Sequence, residues 1–424
     1  MTLPFRRKLF YSFLVIFLLI GTGVIYYSQG YRFDFSTLSA TKTGAVYVEA
    51  QPRSLDIFLN DKKYDSSLGL IQKGTLISNV LPKKYRLELK KEGYLDYEKN
   101  IEVFPSQVAR ISNVILAPQK IDEQQLIDNV KGNIILDKKD KRIIVLDDQK
   151  NIYYLYNLNS PNIINLNSKI SSFFRQKIED IRIYPQEENK IIVRTSTGIY
   201  WIDINKQSFK TIKEGILEKM TVARNNLYLV ELPTKQKNST STDSFITTTD
   251  LNLIEETRRI KLPFNGNQIE NIDVSQNYQL FILKDGSIWF YNNKDENFFQ
   301  LAHSGKTAKI SPDEKKVFYQ DKDGKSFIYF IEDEIVTLEK KKGEIMKIEI
   351  IDALKTKQIE WLDDSFHFII DYSSKTLDIS DLSIYKPANK FTIKNNPGSW
   401  VYDKEEEVVY LLKEGKISSV NLSF

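Results

Sequence analysis

The stretch from Tyr278 to Asn293, YQLFILKDGSIWFYNN, holds an apolar run, an Asp-Gly step and a second, aromatic-rich run. Asp-Gly between two β-type runs is a preferred two-residue hairpin turn. Six other stretches share the plan: KRIIVLDDQKNIYYLYNLN from Lys141, NKIIVRTSTGIYWIDIN from Asn189, NNLYLVELPTK from Asn225 leading to SFITTTDLN, KKVFYQDKDGKSFIYFIED from Lys315, FHFIIDYSSKTLDISDLS from Phe366 and EVVYLLKEGKISSVNLSF from Glu407. With Leu146, Ile192, Tyr228, Phe281, Phe318, Phe368 and Val409 as equivalent centres, the repeat averages about 44 residues, the length of a four-stranded propeller blade. A lone hairpin cannot cover its own apolar faces. Neighbours must therefore stack around an axis, and a closed ring leaves fewer open edges than an array.

This reading makes residues 119–424 a seven-bladed β-propeller, with six or eight blades left open by the irregular spacing. Ring closure is expected between a strand near Asn133–Leu136 and the last strand, Lys416–Leu422. The widest interval, Pro233–Ser244, is polar and reads as a loop of the third blade.

Upstream, Gly44–Pro118 alternates with period two and is cut by turn signals. Strands are expected over Ala45–Val48, Leu55–Leu59, Tyr85–Leu89, Lys99–Val103 and Val108–Leu116, forming a small antiparallel sandwich. Residues 28–43 read as a linker. Before them, Leu9–Tyr27 (LFYSFLVIFLLIGTGVIYY) carries no formal charge and is long enough to cross a hydrocarbon core of about 30 Å. Arg6, Arg7 and Lys8 lie just before it, so the positive-inside rule leaves 1–8 as a cytoplasmic stub and exports the rest. The Tyr26, Tyr27, Tyr31, Phe33 and Phe35 rings are then expected at the outer headgroup level. A cleaved signal peptide with Gly21-Thr22-Gly23 at its end is the rival reading.

Two resemblances follow from these residues. GAVYVEAQP, LDIFLND, VLPKKYRLELKKEGY, NIEVFP and VILAP, in that order, resemble a PEGA domain, a compact module of bacterial envelope proteins. Its signature tetrapeptide is here Pro52-Arg53-Ser54-Leu55. Ile310–Val317 and Ile359–Ser365 resemble the strand, S-P-D-G, strand entry of WD-repeat-like and TolB-like propeller blades, without the glycine. The PEGA resemblance implies adhesion, scaffolding or presentation outside the cytoplasm. Neither resemblance supplies an active site.

Composition narrows the chemistry. The chain has no Cys and only two His, His303 and His367, among 424 residues. Disulfides, thiolate metal sites and cysteine nucleophiles are excluded. Net charge is +4, with no basic concentration of the kind nucleic-acid binders show. Gly305-Lys306-Thr307 lacks the rest of a phosphate loop and reads as a hairpin turn. Asp321-Lys322-Asp323-Gly324 lacks later calcium ligands and, like Lys284-Asp285-Gly286-Ser287, also reads as a hairpin turn. Asn238-Ser239-Thr240 matches a glycosylation acceptor, a pattern common by chance. His367 is expected as a surface or satisfied strand histidine and His303 as loop. Trp201, Trp289, Trp361 and Trp400 are expected to pack between blades.

The fold class expected is mainly β: one transmembrane helix, a PEGA-like sandwich and a propeller. The function expected is a membrane-anchored, extracytoplasmic binding or scaffolding protein of the bacterial cell envelope. Its partners would be the membrane and an envelope protein or glycan, not nucleic acid. No catalytic, cofactor-binding or metal-ligating residue is assigned, and no enzyme activity is expected. The alternative is an envelope carbohydrate-active enzyme that uses a pair of acidic residues in the propeller channel.

Overall fold

The computed structural model describes residues 3–35, 38–64, 74–232, 243–349, 356–373 and 375–422. The chain opens with helix α1 (Leu3–Ser28). Its stretch Phe5–Ser28 has a mean hydropathy of 2.3 and is buried against nothing, so it is long and apolar enough to cross a membrane or to serve as a signal sequence. It begins earlier than the apolar run because Arg and Lys are good helix formers and Pro4 falls in the first turn, where no amide partner is needed. Gly30, at φ 86°, ends it in the left-handed conformation.

Residues 28–43 are not a plain linker. They hold a hairpin of β1 (Tyr31–Asp34) and β2 (Ser39–Lys42), with Tyr31 opposite Lys42.

The small domain has two sheets. One contains β3 (Gly44–Gln51) between β6 (Thr75–Val80) and β9 (Val108–Ile115); the other contains β4 (Asp56–Leu59), β5 (Lys62–Tyr64), β7 (Lys84–Lys90) and β8 (Tyr97–Glu102). One core, including Val46, Ile57, Leu87, Ile101 and Ile111, joins them. The expectation of an all-antiparallel arrangement is corrected here: β9 runs parallel to β3, with Val46 beside Ala109. The Asn60-Asp61 turn forms without glycine because both residues take φ values of 47° and 65°, which Asn and Asp tolerate.

Seven four-stranded antiparallel sheets follow. The seven hairpins read from the sequence are the middle pairs of these sheets. The first comprises Ile134–Lys139, Arg142–Asp147, Ile152–Asn157 and Ser160–Asn165. Its first strand is the inner one: the strands that open the first and second sheets, Ile134–Lys139 and Asp180–Ile183, pack on each other. Each adjacent pair of sheets shares a hydrophobic core. Ile144 and Ile191 belong to the core between the first and second, Leu280 and Val317 to that between the fourth and fifth, and Phe318 and Trp361 to that between the fifth and sixth, where both pack on Phe368. The cycle returns to its start, because Ile143, Val145 and Tyr156 of the first sheet share a core with Tyr410, Leu412 and Ile417 of the seventh. The domain is a β-propeller.

Closure differs from expectation in its strand. The segment that pairs with Lys416–Asn421 is β10 (Glu123–Ile127), with Glu123 opposite Val420, whereas Ile134–Lys139 is the inner strand of the first sheet. The physical reason is the point of entry. Ala117 lies in the core of the sixth and seventh sheets, so the chain reaches the outer edge of the seventh sheet before it turns inward.

A charged seam reinforces the closure. Lys138 bonds Asp403 and lies 3.2 Å from Glu406; Lys139 reaches Glu405 at 2.7 Å, and Lys141 also bonds Glu406. Burial favours the neutral form of Glu406, but Lys141, the Tyr410 hydroxyl and Lys138 outweigh it and hold its pKa down at about 2. A lowered carboxylate pKa contributes stability above its ordinary value of 4.5, and that contribution is lost as pH falls from there towards 2. Glu406→Gln should therefore unfold more easily at pH 7, by about 1–3 kcal/mol, and lose less between pH 5 and pH 2 than the parent. Thermal unfolding followed by circular dichroism checks both.

Candidate functional site

Strand β8 alternates so that Tyr97, Lys99 and Ile101 share its inward face. Lys99 is the exception in that row, a cation with no exposed side-chain surface. Such a residue needs a counter-charge, and the sixth sheet supplies one. Lys99 Nζ lies 2.8 Å from Asp381 Oδ2 and donates to the Pro387 carbonyl at 2.6 Å. The Tyr97 hydroxyl donates to the same Asp381 oxygen at 3.4 Å, while Asp381 Oδ1 accepts the Asn389 amide at 2.8 Å. The Asn100 amide donates to the Lys386 carbonyl at 2.7 Å, and Tyr385 packs against the small domain's core. Burial lowers the Lys99 pKa, opposed by Asp381, and raises that of Tyr97.

Directly across the strand pair from Asp381 stands His367, whose Nδ1 is 2.5 Å from Asp364 Oδ2. Asp364 Oδ1 accepts the amides of Phe366 and His367. Burial alone disfavours an imidazolium there, but the Asp364 carboxylate outweighs it and holds the ring's pKa up, with Asp381 adding and Lys99 opposing. Expected as a surface or satisfied strand residue, His367 is buried and satisfied, three residues after its partner. The equivalent pairs Lys316 with Asp313 at 2.6 Å and Lys190 with Glu187 at 2.5 Å occupy the matching turns of the fifth and second sheets. Of these clamps, the Asp364–His367 pair holds a turn that the small domain meets, since Asp363 and Asp364 line a cleft with Glu49 and Gln51.

Beside this junction is a cleft of about 260 Å³, lined by Glu49, Gln51, Asn113, Asp363, Tyr402 and Glu407. All the links described between the small domain and the propeller fall on turns joining first to second or third to fourth strands, or on the chain end beside them. In an antiparallel meander those turns share one face. The turns joining second to third strands lie on the other.

The inner strands carry a second polar set. Asp137 Oδ2 accepts the Ile183 amide at 2.7 Å, Asp273 Oδ2 accepts the Ile310 amide at 2.8 Å, and the Ser399 hydroxyl accepts the Ile135 amide at 2.9 Å. Lys309 bridges to Glu360 at 2.8 Å and Arg182 to Asp180 at 2.8 Å. Burial raises the pKa values of Asp137 and Asp273. Their geometry makes them staples between neighbouring sheets, each carboxylate already accepting a backbone amide. Among the described residues, no group of three His, Cys, Asp or Glu is placed to hold a metal ion.

The remaining sequence candidates scatter. Asp321–Gly324 and Lys284–Ser287 are turns between middle strands, and Asp285 is held below its usual pKa chiefly by the Ser287 amide. Gly305-Lys306-Thr307 is not a turn but the start of an inner strand, Gly305–Ile310, where a Cβ would strike the Ile288 side chain and force it to shift. Trp361 and Trp400 sit in cores between sheets, Trp201 and Trp289 pack against others, and His303 is exposed in a bend. Asn238-Ser239-Thr240 lies outside the described residues. The Lys99–Asp381 junction escaped the sequence reading; its one visible signal is a lysine at a position that alternation assigns to the core.

No protein-family model matches the chain. No curated protein matches it either. Among solved structures it is similar to a Dos1 propeller, with a TM-score of 0.46, 9% identity and coverage of 71% of this chain and 96% of that one. It is also similar to a chain of the mitotic checkpoint complex, with a TM-score of 0.46, 9% identity and coverage of 72% and 91%. A computationally designed protein, Ika8, is similar at a TM-score of 0.41 and 9% identity, over 70% of this chain and 100% of that one. The architecture rests on the strand pairing above rather than on these likenesses.

Removing one partner of a buried ion pair strands the other charge, so Lys99→Met and Asp381→Leu should each cost about 3–5 kcal/mol, while the double variant recovers most of the loss. Urea unfolding of the four proteins measures the cycle. A raised histidine pKa contributes stability in full below its ordinary value of 6.5, and that contribution is lost as pH rises through the higher folded value. The urea midpoint should accordingly fall from pH 6 to pH 9 in the parent and fall less in His367→Gln.

Proposed function

We propose that this chain is a membrane-anchored binding and scaffolding protein working outside the cytoplasm, in a bacterial cell envelope. A PEGA-like module holds a seven-bladed propeller, and the propeller presents a surface to a protein or glycan partner. The seven four-stranded sheets and the cycle of shared cores support the blade count. The uncleaved anchor draws support from α1, which is uncharged from Leu9 to its end at Ser28 and is tied to the hairpin that follows it.

One observation carries the reading: the small domain is locked to one face of the propeller, across the fifth to seventh sheets, by the buried Lys99–Asp381 pair. A rigid mount of this kind orients the opposite face, with turns such as Asp285–Gly286 and Asp321–Gly324, towards partners. Presentation needs orientation and no reactive group. The alternative, an enzyme acting on carbohydrate through channel carboxylates, draws on the raised pKa values of Asp137 and Asp273. Both carboxylates are already engaged by backbone amides, which weakens that reading.

Photo-crosslinking in native membranes tests the proposal. A benzoylphenylalanine at Asp323, on the undocked face, should trap a partner, whereas one at Lys294, on the docked face, should not. Adducts from Lys294 alone, or none from Asp323 together with silence on a glycan array, would overturn it.

A further inference from the structure

The end of α1 is built into the small domain rather than hung from it. The Arg32 guanidinium lies 3.6 Å from the centre of the Tyr27 ring, donates to the Tyr27 carbonyl at 2.9 Å and reaches Asn79 Oδ1 of β6 at 2.8 Å. Tyr26 and Tyr31 meet edge to face at 5.3 Å across the helix terminus. Thr43 donates to the Gly30 carbonyl through both its amide, at 3.0 Å, and its hydroxyl, at 2.8 Å. The loop before β9 is stitched to the same point, because the Ser106 amide donates to the Thr43 carbonyl at 3.0 Å and the Ala45 amide to the Gln107 carbonyl at 2.9 Å.

Large apolar side chains are exposed around this junction. Phe33 is 51% exposed, Phe35 83%, Leu38 75%, Phe104 49% and Val108 50%. Single exposed apolar residues are ordinary, but a group gathered at one end of a domain marks a contact surface. Lys83 and Lys84 flank it, since the Val103 amide bonds the Lys83 carbonyl, and exposed Lys42 closes β2. Aromatic and aliphatic side chains among lysines are what the boundary between headgroups and acyl chains accommodates. The surface also begins where the span Phe5–Ser28 ends.

We propose that Phe35 and Leu38, at the end of the β1–β2 hairpin, together with Phe104 and Val108, enter the headgroup boundary of the bilayer that α1 crosses, so that the small domain stands on the membrane. This rests on the anchor reading of α1 and adds an orientation to it. The parallel strands β3 and β9 start at this end and finish beside the propeller, where Gln51 and Ile115 line the junction cleft. Eight residues at about 3.3 Å each make the small domain a spacer of about 25 Å between bilayer and propeller.

The chain contains no cysteine, so single spin labels can be placed without background. Full-length protein in nanodiscs of phosphatidylcholine and phosphatidylglycerol, labelled in Phe35→Cys, Leu38→Cys or Val108→Cys, should show greater accessibility to oxygen than to a water-soluble nickel chelate, at headgroup depth. Val15→Cys in the helix should report the acyl region and Asp323→Cys bulk water. Water-like behaviour at 35, 38 and 108 with a deep signal at 15 overturns the proposal and leaves the anchor standing. Water-like behaviour at 15 as well removes the anchor, and this proposal with it.

Discussion

Every sheet of the propeller has two apolar faces and no means of covering either one. Ile143, Val145 and Tyr156 point to one side of the first sheet, and Ile144 and Leu155 to the other. A linear stack would leave two such faces in water at its ends. Only a return of the last sheet to the first covers both, so closure is the constraint on which the domain depends. The structure meets it three times over: with a shared core, with the pairing of β10 to the last strand, and with the seam from Lys138, Lys139 and Lys141 to Asp403, Glu405 and Glu406. The last two use the chain's first and last propeller segments, which makes the ring indifferent to the absence of any covalent link.

That closure also fixes what can be mounted on the ring. The segment leading into β10 passes beside the sixth and seventh sheets, and the small domain settles there. A buried lysine is a poor way to gain stability, since its desolvation cost nearly cancels its attraction to Asp381. It is a good way to impose one arrangement, because any other docking leaves a naked charge at Lys99 or at Asp381. The Asp364–His367 clamp keeps the neighbouring turn in the form that this arrangement needs. Lys99, Asp381, Asp364 and His367 thus spend their charge on one fixed arrangement of the two domains.

The sequence makes the middle strands of the sheets plain and hides their flanks. Middle strands such as Tyr278–Leu283 are covered on both faces and along both edges, so they read as continuous apolar runs. Inner strands such as Ile269–Val274 border the axis and outer strands such as Glu255–Lys261 border solvent; both mix charge with apolar residues and imitate loops. β10, reading EQQLI, is the extreme case, and the segment downstream of it, Ile134–Lys139, is the more strand-like by sequence. Gly305-Lys306-Thr307 misled in the opposite direction, its glycine reflecting a crowded neighbour rather than a bend.

The sequence by itself determined the spanning-length apolar helix, the small β-domain and the repeated hairpins behind the propeller, because each follows from a local period that burial imposes on neighbouring residues. The strand that closes the ring, the parallel course of β9, the hairpin at the end of the helix and the Lys99–Asp381 mount were decided by tertiary structure alone. The hairpin is local but too short and polar to show a period, and its hold on the small domain runs through Arg32 to Asn79; the other three join residues far apart in the chain, and no local pattern records which distant group will neutralise a charge or cover an edge.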